Sequence, residues 1–282
     1  MSGVTDSLQP VSRTALWTAA ARAAESRHPA ALFDDPLAGA LAGTEGPQLL
    51  TRYDSTVTAL FVAIRTAVID QFFRDSVCSQ IVLLAAGLDT RAYRIPRPGP
   101  TEVFEVDHEA LQRYKTATIG DRAPLPGYDV RHVGSDLAAG DWDVALGQAG
   151  FDPERPTLWI AEGLLFFLPE TDASALLKKA HGASAPGSEL VVDFTSRASL
   201  RNPYAAEFLA RLAEDGNPWL FGTDQPEEFL AAAGWAATSV LEPGATQQGD
   251  DRWPYPVEPR ANRYAPRNWI SHSRWIADDS LA

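Results

Sequence analysis

The run Ile81-Val82-Leu83-Leu84-Ala85-Ala86-Gly87-Leu88-Asp89-Thr90-Arg91 constrains this chain more than any other stretch. Five residues of buried-strand character lead into a small, glycine-containing turn, followed by an acid, a hydroxyl and a base. Asp107 follows at the end of a second apolar run, Val103-Phe104-Glu105-Val106-Asp107. A strand, a tight turn and an acid at the tip of the next strand form the nucleoside-binding half of a Rossmann-like sheet. The glycine lets the backbone approach a ligand. The acid can accept two ribose hydroxyls.

The turn is also informative for what it lacks. A dinucleotide fingerprint reads G-x-G-x-x-G, whereas this turn reads Ala85-Ala86-Gly87-Leu88-Asp89-Thr90. No third glycine allows close helix packing over a pyrophosphate, and Asp89 repels phosphate. No G-x-x-x-x-G-K-[ST] occurs, which excludes a P-loop. The expected ligand is a nucleoside without phosphates, a description that S-adenosylmethionine fits.

Downstream of residue 77 the pattern alternates. Candidate strands cover residues 81–85, 103–106, 129–133, 158–161 and 190–194, with helices between them at 109–119, 142–149 and 172–181. Such alternation indicates an α/β fold with a mostly parallel sheet and helices on both faces. Upstream, residues 1–10 read as a disordered lead-in and 14–27 as an alanine-rich helix. Asp35 and Pro36 cap and open a short helix that Gly43 stops. A stronger helix covers 55–75, with Val57, Leu60, Phe61, Ile64, Val68 and Phe72 on one face and Arg65 beside that stripe. Residues 201–235 break the rhythm with two helices, 204–214 and 225–233. They read as an insertion over the carboxyl ends of the strands. A proline-rich segment, 252–267, must be an extended loop, and 268–276 reads as a last strand. The expected organisation is an N-terminal helical cap (1–76) and a core (77–282) with a lid insertion at about 201–235, in a single compact domain.

With 282 residues, 45% of them hydrophobic, the chain can bury a sizeable core. Its net charge of −13 and the lack of a basic stripe argue against nucleic acid as a partner. No segment approaches the ~20 apolar residues of a membrane span, and no signal peptide is evident. A cytoplasmic location is expected. The lone cysteine, Cys78, excludes an intrachain disulfide and a cysteine-based zinc site, and no metal is expected.

Four stretches occur in order: Thr14-Ala15-Leu16-Trp17 through Ala20-Ala21-Arg22-Ala23-Ala24-Glu25-Ser26 to Phe33-Asp34-Asp35-Pro36; Leu84-Ala85-Ala86-Gly87-Leu88-Asp89-Thr90-Arg91-Ala92-Tyr93-Arg94; Phe104-Glu105-Val106-Asp107; and Pro156-Thr157-Leu158-Trp159-Ile160-Ala161-Glu162-Gly163-Leu164-Leu165-Phe166-Phe167-Leu168. Together they resemble the leucine carboxyl methyltransferase family, in its bacterial, largely actinobacterial branch. The resemblance implies a class I methyltransferase fold, S-adenosylmethionine as cofactor, and methyl transfer to an oxygen, typically of a carboxylate. It suggests a role in secondary metabolism. The family pattern at the turn is G-A-G-L-D-T, and Ala85 replaces its first glycine. That methyl is tolerable if the residue has φ below zero.

The resemblance also implies roles for individual residues. Arg65 matches the arginine that pairs with the methionyl carboxylate, as a guanidinium can do bidentately. Asp107 takes the ribose. Asp136 and the Leu137 backbone fall at the adenine, although Asp136 reads equally as a turn cap. Glu162 falls near the methionyl amine, and burial without a partner would be costly for it. Asp89 is a second candidate for that amine or a helix cap, and Arg91 joins Arg65 or pairs with Asp89.

No catalytic base is evident. The five histidines show no dyad spacing, and His272 on the last strand is the best exception. Tyr204 and His272 are the positioning candidates. Arg201, Trp219, Arg252, Tyr255 and Tyr264 are further candidates for the acceptor pocket. The leading reading is a carboxyl O-methyltransferase acting on a carboxylic acid, a small molecule or natural-product intermediate. The alternatives are a phenol or hydroxyl acceptor, and a cofactor-binding protein without methyl transfer.

Overall fold

The structure is a computed structural model that describes residues 8–53 and 57–277. Its centre is a seven-stranded sheet. The strands are β1 (Gln80–Leu84), β2 (Thr101–Asp107), β3 (Tyr128–Gly134), β4 (Thr157–Ala161), β5 (Glu189–Thr195), β6 (Trp235–Leu241) and β7 (Asn268–Trp275). They lie in the order β3-β2-β1-β4-β5-β7-β6. The first five pair in parallel, and β7 runs antiparallel to both β5 and β6. The chain order reverses between β1 and β4, which is where open α/β sheets bind their ligands, outside the carboxyl ends of the strands.

Side-chain alternation explains the burial of the sheet on both faces. Val82 and Leu84 join one core with Phe104, Trp142, Trp159, Leu177 and Trp235. Ile81 and Leu83 face the other, with Ile64, Val68, Phe73, Ile160 and Ile270. The helices of the first face include α7 (Trp142–Gln148) and α8 (Glu170–Gly182). The second face is covered by α4 (Thr58–Asp75). From Phe61 to Asp70 every residue of α4 is buried, so the stripe expected from the sequence understates how deeply this helix sits. Position 55, its expected start, lies outside the described residues.

The other helices in chain order are α1 (Pro10–Glu25), α2 (Ala38–Ala42), α3 (Gly46–Arg52), α5 (Arg91–Arg94), α6 (Glu109–Ile119), α9 (Arg197–Leu200), α10 (Ala206–Glu214) and α11 (Pro226–Ala231). α1 opens at Pro10, four residues before the expected start, because proline suits the first helical position. Leu8 just before it is buried against Leu16 and Leu41. Residues 8–10 are therefore not a disordered lead-in, and residues 1–7 lie outside the described residues. Asp35 caps the turn entering α2, accepting from the Leu37 and Ala38 amides at 3.2 and 3.1 Å. Gly43, at φ 57°, ends that helix.

β6 was not expected. It is an edge strand with two alanines, only half-buried, and its register shifts between Ala237 and Ser239. These features suppress the alternation by which a strand is recognised. The segment before it packs at the carboxyl end of the sheet. Leu212 on α10 is fully buried against Trp17, Tyr53 and Val62, and the Thr223 amide donates to the Thr195 carbonyl at 2.9 Å.

Candidate active site

A cavity of about 400 Å³ opens at the carboxyl ends of β1, β2 and β4. Its walls include Arg65, Ala85, Gly87, Asp89, Asp107, Asp136, Leu137 and Glu162, which are all the cofactor-binding candidates taken from the sequence. The N-terminal helix closes it from above with Val11, Ser12, Thr14, Ala15 and Thr18.

The floor is the turn after β1. Ala85 has φ 53° and Gly87 φ 55°. For Gly87 this is the conformation that glycine adopts at no cost. For Ala85 it is the left-handed region, which costs an L-residue roughly 1–2 kcal/mol. The condition under which its methyl would be harmless, φ below zero, is not met. The turn persists because its neighbours hold it. The Ala86 amide donates to the Val106 carbonyl at 3.1 Å, and the Gly87 amide donates to Asp107 Oδ2 at 2.7 Å.

Asp107 also accepts from the His108 amide through Oδ1 at 2.7 Å. It is 7% exposed and has no ion-pair partner among the described residues. Burial pushes its carboxyl above the usual range, against the pull of those two amides. Asp136, exposed at the rim, caps its own turn by accepting from the Ala138 amide at 2.9 Å.

The opposite end is a continuous charge network. Arg22 bonds Asp35 at 2.9 Å, and Asp35 also accepts from Thr90 Oγ1 at 2.8 Å. Arg94 lies 3.9 Å from Asp35 and 2.5 Å from Asp70. Arg91 reaches Asp70 at 2.8 Å, Glu162 at 2.7 Å and Asp89. Arg65 reaches Glu162 at 3.0 Å and Asp193 at 2.9 Å. Four guanidiniums thus meet five carboxylates, and most are buried. Burial would raise the Glu162 carboxyl, but Arg91 and Arg65 overcome it and hold it down to about 2. The same contest keeps Asp35 below the usual carboxylate range, through Arg22 and Arg94.

This network explains why three of the four sequence stretches occur together. Arg22 and Asp35 come from the first, Asp89 to Arg94 from the second, and Glu162 from the fourth. Sequence reasoning missed Asp70, Arg94 and Asp193 as members. Asp70 shares helix α4 with Arg65, and Asp193 interrupts the apolar run Leu190-Val191-Val192-Asp193-Phe194; both were visible signals. The partner that burial of Glu162 requires is supplied by the protein itself: two arginines hold it.

The acceptor-side candidates fare differently. Tyr204 is 95% exposed, on a single turn of helix outside the cavity. His272 lies at the far end of the sheet. It is in register with Val191, 3.3 Å from Glu189 at the start of β5, and stacked on Phe72. Antiparallel β7 carries its later residues away from the carboxyl ends of the parallel strands, so its position on the last strand does not bring it to the acceptor side. Tyr264 is 93% exposed, Tyr255 and Arg201 are exposed, and Arg252 pairs with Glu25 at 2.6 Å. None of these residues lines the cavity. Trp219 comes nearest, tilted against Phe166 with ring centres 4.2 Å apart and edge-on at 6.4 Å to Phe167, which does line it.

The model of the leucine carboxyl methyltransferase family matches residues 15–181, more than half of the chain. The chain belongs to that family. A Mycobacterium sp. (strain JLS) protein named "Putative S-adenosyl-L-methionine-dependent methyltransferase" is 40% identical over 223 residues, 74% of each chain. A Mycolicibacterium gilvum (strain PYR-GCK) protein of the same name is 38% identical over 260 residues, covering 83% of this chain and 86% of its own. Among solved structures, a DUF574 family protein from Streptomyces avermitilis shares the fold with a TM-score of 0.63 at 12% identity, over 92% of this chain and 97% of its own. A Thermobifida fusca protein does so with a TM-score of 0.58 at 16% identity, over 91% and 94%. The chain is therefore an S-adenosylmethionine-dependent methyltransferase with a class I fold. Among the described residues, no helix of this family member is long and apolar enough to cross a membrane.

Proposed function

We propose that this methyltransferase transfers its methyl group to the ionised carboxylate of a small molecule. The observation that carries this reading is the state of the titratable groups on the cavity wall. Among the described residues, the acids and arginines there are bound to one another or to backbone amides, apart from one oxygen of Asp136 at the rim. The one histidine on the wall is His108, which follows Asp107 on the nucleoside side. Among the described residues of that wall, none away from the nucleoside end is left as a base for an acceptor hydroxyl. A carboxylic acid needs none, since it is ionised at pH 7, whereas a phenol with pKa near ~10 is not.

The residues present fit the cofactor. Asp107 retains lone pairs for two hydroxyl donors, and its raised carboxyl marks a buried charge not yet fully compensated. Arg65 uses its Nε and one Nη1 hydrogen on Glu162 and Asp193, which leaves its Nη2 donors for a ligand carboxylate. The network carries one more carboxylate than guanidinium, and Asp107 adds another. This balance suits a ligand that is a net cation.

In this reading Asp107 and the Gly87 turn hold the ribose, Leu137 and Asp136 border the base, and Arg65 takes the methionyl carboxylate. Glu162 aligns Arg65 and Arg91 and leaves the methionyl amine to other acceptors. Bound there, the cofactor supplies a sulfonium-activated methyl. The protein contributes positioning and water exclusion. Residues 1–76 act as a cap and 201–235 as a lid. Secondary metabolism and a cytoplasmic location are part of the same proposal. Incubation with labelled cofactor and a panel of acids should give base-labile methyl esters. Base-stable ethers or C-methyl products would refute the carboxylate assignment.

A further inference from the structure

We propose that Asp193 is a positioning residue for the cofactor's amino-acid end, acting through Arg65; the inference rests on the assignment of Arg65 to the methionyl carboxylate. Asp193 lies near the carboxyl end of β5, inside an apolar strand, and is 0% exposed. It does not line the cavity, so it touches no ligand itself.

Its two oxygens do separate jobs. Oδ2 accepts from Arg65 Nη1 at 2.9 Å. Oδ1 accepts from the Gly163 amide at 2.6 Å. One carboxylate thus fixes both the arginine and the turn that carries Glu162. Arg65 is held on a second side by Glu162, from Nε at 3.0 Å. Two carboxylates on two different edges of a planar guanidinium set its plane and its rotation, which one carboxylate would not. The remaining edge, Nη2, is left to the cavity.

Gly163 shows how tightly this arrangement is packed. It sits at φ 68°, and a Cβ there would lie 3.2 Å from both Nη1 and Nη2 of Arg65. The arginine lies directly over the glycine, and Asp193 bonds to both. The guanidinium carbon also lies over the Phe61 ring, 5.5 Å from its centre. A buried acid in a strand core is costly unless its bonds are complete. Here both partners belong to the ligand-facing apparatus rather than to the distant core.

The test uses two ligands of the full-length protein. S-adenosylhomocysteine carries the nucleoside and the amino-acid end; 5′-methylthioadenosine carries the nucleoside and sulfur without the amino acid. In Asp193→Asn the amide oxygen can still accept from Gly163, but its NH2 faces the Arg65 donor. Titration should show S-adenosylhomocysteine bound about tenfold more weakly, with 5′-methylthioadenosine unchanged. Asp193→Ser, which keeps a small acceptor for Gly163, should show the same selectivity. Equal weakening of both ligands, loss of both, or no change in either variant would overturn the proposal, since a merely structural residue gives one of those patterns. Arg65→Lys separates the two claims. If it shows the selective loss and the Asp193 variants do not, Asp193 alone is wrong. If Arg65→Lys is also unselective, the assignment of Arg65 fails.

Discussion

At the arginine end of the cavity each carboxylate already has its cation: Glu162 two, Asp193 one, and Asp70 two. At the other end Asp107 has only two backbone amides. Glu162 and Asp107 respond to burial in opposite ways, while Asp193, with a single arginine, is still pushed up by burial. Glu162 is held down to about 2 by its arginines, while burial leaves the Asp107 carboxyl raised. The first end is built before a ligand arrives and contributes to the fold. The second is completed by the ligand, so its worth appears in binding.

The sharpest way to break this contrast is to remove one acid from each end. Glu162→Ala should strand two buried guanidiniums and cost on the order of 3–5 kcal/mol of stability, seen as a lower denaturant midpoint. Asp107→Asn, whose NH2 must face one of the two amides, should cost the fold less, about 1–3 kcal/mol, and weaken cofactor binding roughly 10–100-fold by titration. Similar stability losses in the two variants would erase the distinction.

The pH dependence separates the ends next. Glu162 is depressed from an ordinary 4.5, so its stabilising contribution is present above pH 4.5 and is lost as pH falls towards about 2. Asp107 is raised from 3.8, so its contribution to stability is greatest below pH 3.8 and is lost as pH rises through its folded value. In the proposed assignment of Asp107 to the ribose, binding needs the ionised form. Cofactor affinity should therefore fall on acidification before an ordinary carboxylate would titrate, and this limb should flatten in Asp107→Asn.

The smallest effect concerns the turn that joins the ends. Ala85→Gly relieves a left-handed alanine. It should stabilise the protein by about 1 kcal/mol, raising Tm by roughly 2–4 °C. Cofactor affinity should be unchanged or tighter. A fall in Tm would mean that the alanine is not strained.

The same division governs what the sequence made legible. The sheet, its switch point and the cavity-lining residues were readable because each is a local pattern: an apolar run, a turn glycine, an acid at a strand tip. Asp193 was missed because its partners, Arg65 and Gly163, are distant in the chain and a pattern of residues does not reveal ion pairs. Strand β6 was missed because an alanine-rich, bulged edge strand lacks alternation. That His272 and Tyr204 lie outside the cavity was hidden for a related reason. Their distance from the cavity depends on the direction of β7 and on which side of segment 201–235 meets solvent. Neither is encoded within a short window. The strain at Ala85 was legible as a question, and φ answered it.

Titration of S-adenosylhomocysteine and 5′-methylthioadenosine against Asp107→Asn and Arg65→Lys tests the two-ended account most directly. The account requires Asp107→Asn to weaken both ligands by the same factor, and Arg65→Lys to weaken S-adenosylhomocysteine alone. An Arg65→Lys protein that loses both ligands equally, or an Asp107→Asn protein that binds 5′-methylthioadenosine as well as the wild type does, would contradict it.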